Sequence, residues 1–142
     1  MTWSASLQIR SDLAELTRLA EWLAECGAQH GVPDEAVQQV DLCAAETVTN
    51  VITHGVADAA EHRIELRIGQ NGDEVFFEVE DDGIEFDPTQ APLSAPVTMD
   101  CDRVGGWGMR IVRKLSDEIR YRRVDGRNRL TLVFRLRPPV AA

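Results

Sequence analysis

The amino-acid sequence predicts an α+β fold built as a two-layer sandwich, in which helices cover one face of a mostly antiparallel sheet. Two observations lead to this prediction. Apolar and polar residues alternate in short segments that pair around tight-turn dipeptides, and apolar residues recur every three or four positions in three longer segments. The predicted order is strand, two helices, strand hairpin, helix, strand hairpin. The second face of such a sheet is either exposed to solvent or an interface.

The size and composition of the chain limit its class. With 142 residues, 44% of them hydrophobic, it is expected to form one domain over residues 1–142. No run approaches the roughly 20 apolar residues of a membrane span, and the N-terminus lacks the pattern of a secretory signal. We therefore expect a cytoplasmic protein without a membrane partner. A net charge of −9 argues against direct binding of nucleic acid.

The N-terminal part contains one strand and two helices. Apolar and polar residues alternate over residues 7–9, which indicates a short strand. Ser11 followed by Asp12 is a typical N-cap for a first helix, which extends to about residue 28. A second helix is predicted over residues 33–53, because acidic residues occupy its first turn and glycine follows its end.

The second helix carries the first candidate site. One arc of this helix is apolar and contains Val37, Val40, Ala44, Val48 and Val51. Glu46 and Asn50 lie one turn apart and project from roughly the opposite side. They form either a solvated helix face or one ligand site. In the second case the Asn50 amide oxygen suits Mg²⁺, and the Glu46 carboxylate could accept a proton from a hydroxyl.

Four strands and a third helix make up the rest of the chain. Asn71-Gly72 and Asp125-Gly126 favour tight turns, and each divides a pair of alternating segments. The strands are predicted over residues 63–70, 74–80, 119–124 and 130–136. A Pro-containing segment over residues 86–103 is predicted to be a long loop, and the third helix ends near Ser116.

Two further groups of residues could take part in binding. Asp81, at the end of a strand, is either a turn former or a carboxylate that accepts a hydrogen bond from an exocyclic amine such as that of adenine. Gly105, Gly106 and Gly108 precede the third helix. They form either a plain loop with a helix cap or a site where the backbone approaches a phosphate. The Lys and Ser/Thr of a Walker A loop are absent.

Basic residues gather in the C-terminal third of this acidic chain. They are Arg110, Arg113, Lys114, Arg120, Arg122, Arg123, Arg127, Arg129, Arg135 and Arg137. Two interpretations stay open at this point. The arginines either form ion pairs on a strand face, or they provide a surface for an anionic ligand or an acidic protein.

Cysteine and histidine give no further candidate site. The three cysteines are far apart in the sequence and lack the close spacing of redox or metal motifs, so we interpret them as reduced and incidental. The three histidines do not fit the spacing of a metal triad, and no Cys-His pair or nucleophile elbow is present. Zinc and hydrolase chemistry are therefore disfavoured.

The order of the three candidate segments resembles that of the GHKL ATPase superfamily, which includes gyrase, MutL and histidine-kinase catalytic domains. Glu46–Gly55 resembles its N box, Asp81–Phe86 its first glycine box and Gly105–Met109 its second. The chain length, the Asp82–Pro88 variant and the Asp125–Asn128 turn are most similar to the branch of anti-sigma-factor serine/threonine kinases. The resemblance implies the GHKL ATP-binding fold over nearly the whole chain.

The resemblance also implies ATP and Mg²⁺ as cofactors and assigns residue roles. Glu46 would act as the general base or polarise the attacking hydroxyl, and Asn50 would coordinate Mg²⁺ on the nucleotide phosphates. Asp81 would accept from the adenine amino group, while Gly83 keeps the backbone close to the base. The remaining implied contacts are Gly105, Gly106, Gly108 and Met109 along the phosphates, a lid over residues 87–103, and Thr131 near the adenine.

The expected function is that of a kinase that sequesters a sigma factor and phosphorylates a STAS-domain anti-anti-sigma protein. The alternative is a non-catalytic, ATP-gated protein-binding module, motivated by Trp107 and by Glu85, which occupies the second glycine position of the first glycine box. A histidine-kinase catalytic half is a third hypothesis, but no phosphoacceptor helix pair precedes the domain. Homodimers could form through the open sheet face.

Overall fold

The computed structural model describes residues 2–55, 62–90 and 104–137 and contains three α-helices and five strands in those ranges. The strands are β1 (Thr2–Arg10), β2 (Arg63–Asn71), β3 (Glu74–Asp81), β4 (Glu118–Val124) and β5 (Arg127–Arg135). The helices are α1 (Leu16–His30), α2 (Asp34–Asn50) and α3 (Val104–Leu115). Within these ranges, no helix combines the length and apolar character needed to cross a membrane.

The strands form one sheet in the order β1-β2-β3-β5-β4, and every neighbouring pair is antiparallel. The predicted α+β class is confirmed. Both predicted hairpin turns are present, one with Gly72 at φ 64° and the other with Asp125 at φ 51° and Gly126 at φ 76°. Positive φ at both central residues of the second turn matches the twist of the flanking strands, which explains the Asp-Gly pair there.

Alternation along the strands separates a core face from an open face. The core face supplies Ile64, Leu66, Ile68, Val75, Phe77, Val79, Leu130, Leu132 and Phe134, all buried. The helices cover this face with Leu19 and Leu23 of α1, Val40 and Val48 of α2, and Val112 of α3. The period of two in the strands and the helical spacing therefore meet in one apolar layer between sheet and helices.

The ends of α1 show how the chain turns before and after it. The Asp12 side chain accepts a hydrogen bond from the Ala14 N–H and caps a short 3₁₀ turn that leads into the helix. The cap is therefore Asp12 and not Ser11, whose hydroxyl instead accepts from the His62 N–H at 3.0 Å. Gly31 ends the helix in the left-handed conformation at φ 69°.

Helix α2 differs from the expected pattern of one apolar and one polar face. Asn50 is only 7% exposed, whereas Leu42 is 44% exposed. The reason is that α2 contacts α1, α3 and β3, so it is covered on more than one side. After Asn50 the helix continues as a π-helical turn, Val51–Gly55, a distortion that is often found at functional sites.

Ion pairs cover the open face of the sheet. Arg67 pairs with Glu78 at 3.5 Å and Arg129 with Glu80 at 3.2 Å. Other pairs across this face are Arg127 with Glu65 and Glu80, Arg135 with Glu74, and Arg120 with Glu118. The ion-pair interpretation of the basic C-terminal third is therefore the better one for these arginines. Each pair is exposed enough to add little stability by itself.

Candidate functional site

A narrow cavity lies between the C-terminal end of α2 and the ends of strands β3, β4 and β5. It is lined by Thr47, Asn50, Val51, Val79, Asp81, Phe86, Pro88, Tyr121, Asn128 and Leu130. Most of this lining is apolar. Asn50 and Asp81, which belong to two separate candidate segments of the sequence, lie on the walls of this same cavity.

Asp81 is held with one carboxylate oxygen engaged. The residue is 3% exposed, and its Oδ1 accepts hydrogen bonds from the Gly83 N–H at 2.9 Å and from Asn128 Nδ2 at 3.1 Å. Oδ2 makes no hydrogen bond to any of the described residues and, since none of their fully buried side-chain polar atoms lacks a partner, it reaches the open space of the cavity. Because a buried carboxylate is stable only when its oxygens are satisfied, Oδ2 is suited to accept a hydrogen bond from a ligand.

Asn128 connects the site to its surroundings. It is 6% exposed and lies opposite Asp81 in the β3–β5 ladder. Its Nδ2 donates to the Ile84 carbonyl at 2.7 Å as well as to Asp81, and its Oδ1 accepts from Tyr121 Oη at 2.5 Å and from the Phe86 N–H at 3.3 Å. Both donors and both acceptor positions of the amide are therefore used.

Two side chains of β4 support the segment that follows Asp81. Burial is the main factor that raises the pKa of the Tyr121 hydroxyl, and Glu85 raises it further, while Arg123 lowers it. The hydroxyl therefore stays protonated at neutral pH and can donate to Asn128. Arg123 Nη1 donates to the Gly83 carbonyl at 2.9 Å, which fixes the backbone beside the cavity.

The Asn50 carboxamide makes no hydrogen bond to any described residue, and the residue is 7% exposed. Because no fully buried side-chain polar atom of the described residues lacks a partner, the Asn50 amide faces the open space of the cavity that it lines, where a ligand or water can bind to it. An amide oxygen is a donor that Mg²⁺ accepts, and Mg²⁺ usually binds one or two protein groups together with phosphates and waters. The chemistry of the Asn50 side chain therefore fits that of a Mg²⁺ ligand.

Glu46 lies one helical turn before Asn50 and is half-buried. Burial raises the pKa of its carboxyl group, which brings this group closer to the range in which it can accept and release a proton. Glu46 is not part of the cavity lining. Beside it, burial and then the charge of Glu46 raise the pKa of the Cys43 thiol to about 12, so this thiol is unreactive.

The glycines of the third candidate segment lie inside α3 and not in a loop before it. Helix α3 begins at Val104, so Gly105 and Gly106 are in its first turn and Gly108 is in the second. The first four N–H groups of a helix have no acceptor within the helix, so the start of α3 keeps the property that attracts anions. The Met109 side chain is 2% exposed and belongs to the core.

Only the beginning of the predicted lid, residues 87–103, lies within the described residues. Pro88–Gln90 forms a 3₁₀ turn, and Asp87 Oδ1 accepts from the Thr89 N–H at 2.9 Å. Arg113 of α3 donates to the Thr89 carbonyl, which ties this turn to the helix that carries the glycines. Residues 91–103 lie outside the described part of the chain.

Thr131 is not brought to the cavity. Its hydroxyl donates to Glu78 Oε2 at 3.2 Å on the open face of the sheet. Its neighbour Leu130 lines the cavity. Because successive residues of a strand point to opposite faces, the two cannot both face the cavity. The Thr131 side chain is therefore separated from the cavity by the sheet, and a contact between Thr131 and the adenine is not supported by this geometry.

The sequence profile described as "Histidine kinase-like ATPase domain" matches residues 9–134, which is most of the chain. The chain belongs to this family. Membership in this ATPase family implies ATP binding. Among known proteins, serine/threonine-protein kinase BtrW of Bordetella bronchiseptica is 36% identical over 99 residues, which cover 68% of this chain and 69% of BtrW.

Solved structures from bacteria share the fold of this histidine kinase-like domain. The RsbU and RsbW domains of Rv1364c from Mycobacterium tuberculosis match with a TM-score of 0.62 and 21% identity, over 94% of this chain and 33% of that one. The histidine kinase domain of the blue-light activated kinase of Erythrobacter litoralis EL346 matches with a TM-score of 0.57 and 21% identity, over 87% of this chain and 60% of that one. The chain spans about one third of the Rv1364c structure.

Two residues of the cavity lining were missed by the sequence analysis. Asn128 and Tyr121 line the cavity, yet the analysis used the first only as part of a turn and the second only as part of an alternating strand. The alternation of core-facing and outward-facing residues along β5 could have identified Asn128. Asn128 stands two residues before Leu130, so it occupies a core-facing position, and a polar residue there needs partners.

Proposed function

We propose that this chain is an ATP-dependent serine/threonine protein kinase that acts as an anti-sigma factor and phosphorylates a STAS-domain anti-anti-sigma protein. The observation that carries the proposal is the shared cavity of Asn50 and Asp81, which offers a buried amide and an available carboxylate oxygen to one ligand. Similarity to a protein named as a serine/threonine kinase supports the choice of acceptor.

The adenine base would bind between apolar walls with its amino group donating to Asp81 Oδ2. The cavity has a volume of about 30 Å³, which suffices for one or two waters and not for a base. We therefore infer that the segment carrying Phe86 and Pro88 moves outward when the base enters. The Gly83 backbone, which is held by Asp81 and Arg123, stays in place beside the base.

The phosphates would extend from the base toward Asn50 and the start of α3. Mg²⁺ bound to the phosphates would neutralise part of their charge and bring the γ-phosphoryl group into line with the acceptor hydroxyl. The Asn50 amide oxygen would hold the ion, and the N–H groups in the first turn of α3 would donate to phosphate oxygens.

Glu46 would accept the proton of the attacking seryl or threonyl hydroxyl. Its carboxylate is one turn from Asn50 on the same helix, so both groups can serve one reaction. Because burial raises its pKa, Glu46 is a stronger base than an exposed carboxylate. Phosphoryl transfer depends mainly on positioning and charge neutralisation, so these groups would suffice.

The test is phosphate transfer from radiolabelled ATP to a STAS-domain antagonist in the presence of Mg²⁺. We expect labelled Ser or Thr on the antagonist with the wild-type protein. Glu46→Gln should lower the rate at least about 100-fold because proton transfer by a general base contributes that much or more, and Glu35→Gln, exposed on the same helix, should leave the rate unchanged. Absence of transfer by wild-type protein that binds ATP would contradict the kinase proposal.

The second candidate is a binding module in which ATP changes partner affinity without transfer. Its supporting observation is Glu85, which is exposed next to the cavity and whose negative charge acts on Tyr121. Nucleotide-dependent capture of a sigma factor by both wild-type protein and Glu46→Gln, with no labelled antagonist, would favour this function.

A second copy of the chain is a further proposed partner through the open sheet face.

A further inference from the structure

We propose that Asn128 is a positioning residue that makes Asp81 selective for a base carrying an amino group. The inference rests on the proposed nucleotide function and names a residue that decides which base is accepted. Asn128 would act through Asp81, because its amide group is fully used by protein partners and has no capacity left for a ligand.

The orientation of the Asn128 amide follows from its four partners. Its NH₂ group faces two acceptors, Asp81 Oδ1 and the Ile84 carbonyl, and its oxygen faces two donors, Tyr121 Oη–H and the Phe86 N–H. The opposite orientation would place an oxygen against two oxygens and an NH₂ group against an N–H. Only one orientation is therefore compatible with the network.

This orientation determines what Asp81 can offer a ligand. With Oδ1 receiving hydrogen bonds from Asn128 and the Gly83 N–H, the remaining acceptor capacity of the carboxylate is directed to Oδ2. An adenine amino group can donate to Oδ2. Hypoxanthine carries a carbonyl oxygen at the same position, so inosine triphosphate would place acceptor against acceptor, and such mismatches of buried polar groups give strong discrimination.

Tyr121 extends the network by one residue. Its hydroxyl donates to the Asn128 oxygen, and its ring lines the cavity. Removing the hydroxyl leaves the ring in place and deprives Asn128 of one of its two donors. Tyr121→Phe is therefore a milder change of the same network than Asn128→Ala, which removes the donor to Asp81 itself.

The experiment measures dissociation constants for ATP and inosine triphosphate, together with melting temperatures, in wild-type protein and in both variants. Because a hydrogen bond to a charged group is lost, Asn128→Ala should weaken ATP binding about tenfold or more while inosine triphosphate binding changes little. Tyr121→Phe should reduce the ratio of the inosine triphosphate constant to the ATP constant by a smaller factor than Asn128→Ala does. Asn71→Ala, at the exposed C-terminal end of β2, is the matched control.

The ratio of the two constants separates positioning from stability. A residue that only stabilises the fold would lower the melting temperature and weaken both nucleotides equally, and that result would overturn the inference. If Asn128→Ala does not fold, an unchanged ratio in Tyr121→Phe would overturn it. Wild-type protein that binds neither nucleotide would refute the proposed function, and the inference with it. Wild-type binding of ATP with an altered ratio in the variants supports both.

Discussion

Glu46 and Asn50 stand one turn apart near the end of α2 and differ in how they are satisfied. The Asn50 amide lies in a wall of the cavity without a described partner. Glu46 is half-buried outside the lining, and its ionised form is destabilised by burial. Burial of the Glu46 carboxylate therefore lowers the stability of the free protein when the group is ionised, as is common at functional sites.

The raised pKa of Glu46 makes part of the folding stability depend on pH. Between the unfolded and the folded pKa, the folded state binds more protons at this carboxyl than the unfolded state does. The stability contributed by Glu46 is therefore complete below its unfolded pKa of about 4.3 and is lost as the pH rises through the folded value.

Glu46→Gln removes this dependence, because the amide does not ionise. We expect the free energy of unfolding of Glu46→Gln, relative to wild type, to increase as the pH rises from about 4 through the folded pKa of Glu46 and then to level off. Urea denaturation at a series of pH values measures this difference, with Glu35→Gln as the exposed variant on the same helix. A difference that falls over this pH interval would contradict the assigned cause.

Among the elements, strand β2 has a position that only glycine fits. A Cβ at Gly69 would lie 2.7 Å from the Trp3 carbonyl oxygen of β1 and 2.5 Å from the Phe76 ring. The ring can turn aside, but the carbonyl belongs to the β1 backbone. Gly69→Ala would therefore push β1 away from β2.

We expect Gly69→Ala to lower the free energy of unfolding by about 1–3 kcal/mol, the usual cost of overpacking. Ser6→Ala, on the exposed face of β1, should stay within about 0.5 kcal/mol of wild type. Chemical denaturation of the three proteins measures both effects. Equal stability of Gly69→Ala and wild type would show that β1 can move without cost.

The elements themselves were predictable to the extent that they depend on local periodicity. Both hairpins, α1 and the antiparallel sheet follow from alternation, helical spacing and turn dipeptides. The start of α3 could not be predicted in this way, because glycine costs about 1 kcal/mol in a helix interior and the apolar pattern therefore suggested that the helix begins after the glycines. The burial of Asn50 was missed because it depends on packing of α2 against a third helix, which no local pattern contains.

The candidate site could be predicted where the family resemblance and the sequence spacing led to the same expectation. Asp81 ends a strand on the core face, and Asn50 lies one turn from Glu46, as the resemblance requires. For Thr131 the two disagreed, because the alternation that makes Leu130 and Leu132 core residues places Thr131 on the open face. The parity of a strand is the stronger constraint, since a shift by one residue would turn the whole strand over.

For the whole molecule, ATP binding and folding are linked. A ligand that binds only the folded state at 100 times its dissociation constant stabilises that state by about 2.7 kcal/mol. We expect ATP with Mg²⁺ to raise the melting temperature by several degrees. EDTA removes the part of this increase that depends on Mg²⁺, and we expect Asn50→Ala to lack most of that part. Thermal melts with and without EDTA measure it, and an identical EDTA response in Asn50→Ala would exclude Asn50 as the ion's ligand.

The two edge strands of the sheet differ in their protection against self-association. Edge strand β4 carries Arg120, Arg122 and Arg123, and charged side chains on an edge strand discourage pairing with strands of other molecules. Strand β1, at the opposite edge, has no charged residue from Thr2 to Ile9. When the protein is concentrated or partly unfolded, fibrous aggregates should therefore grow from β1, and a lysine introduced on its solvent side would improve solubility at little cost to the fold.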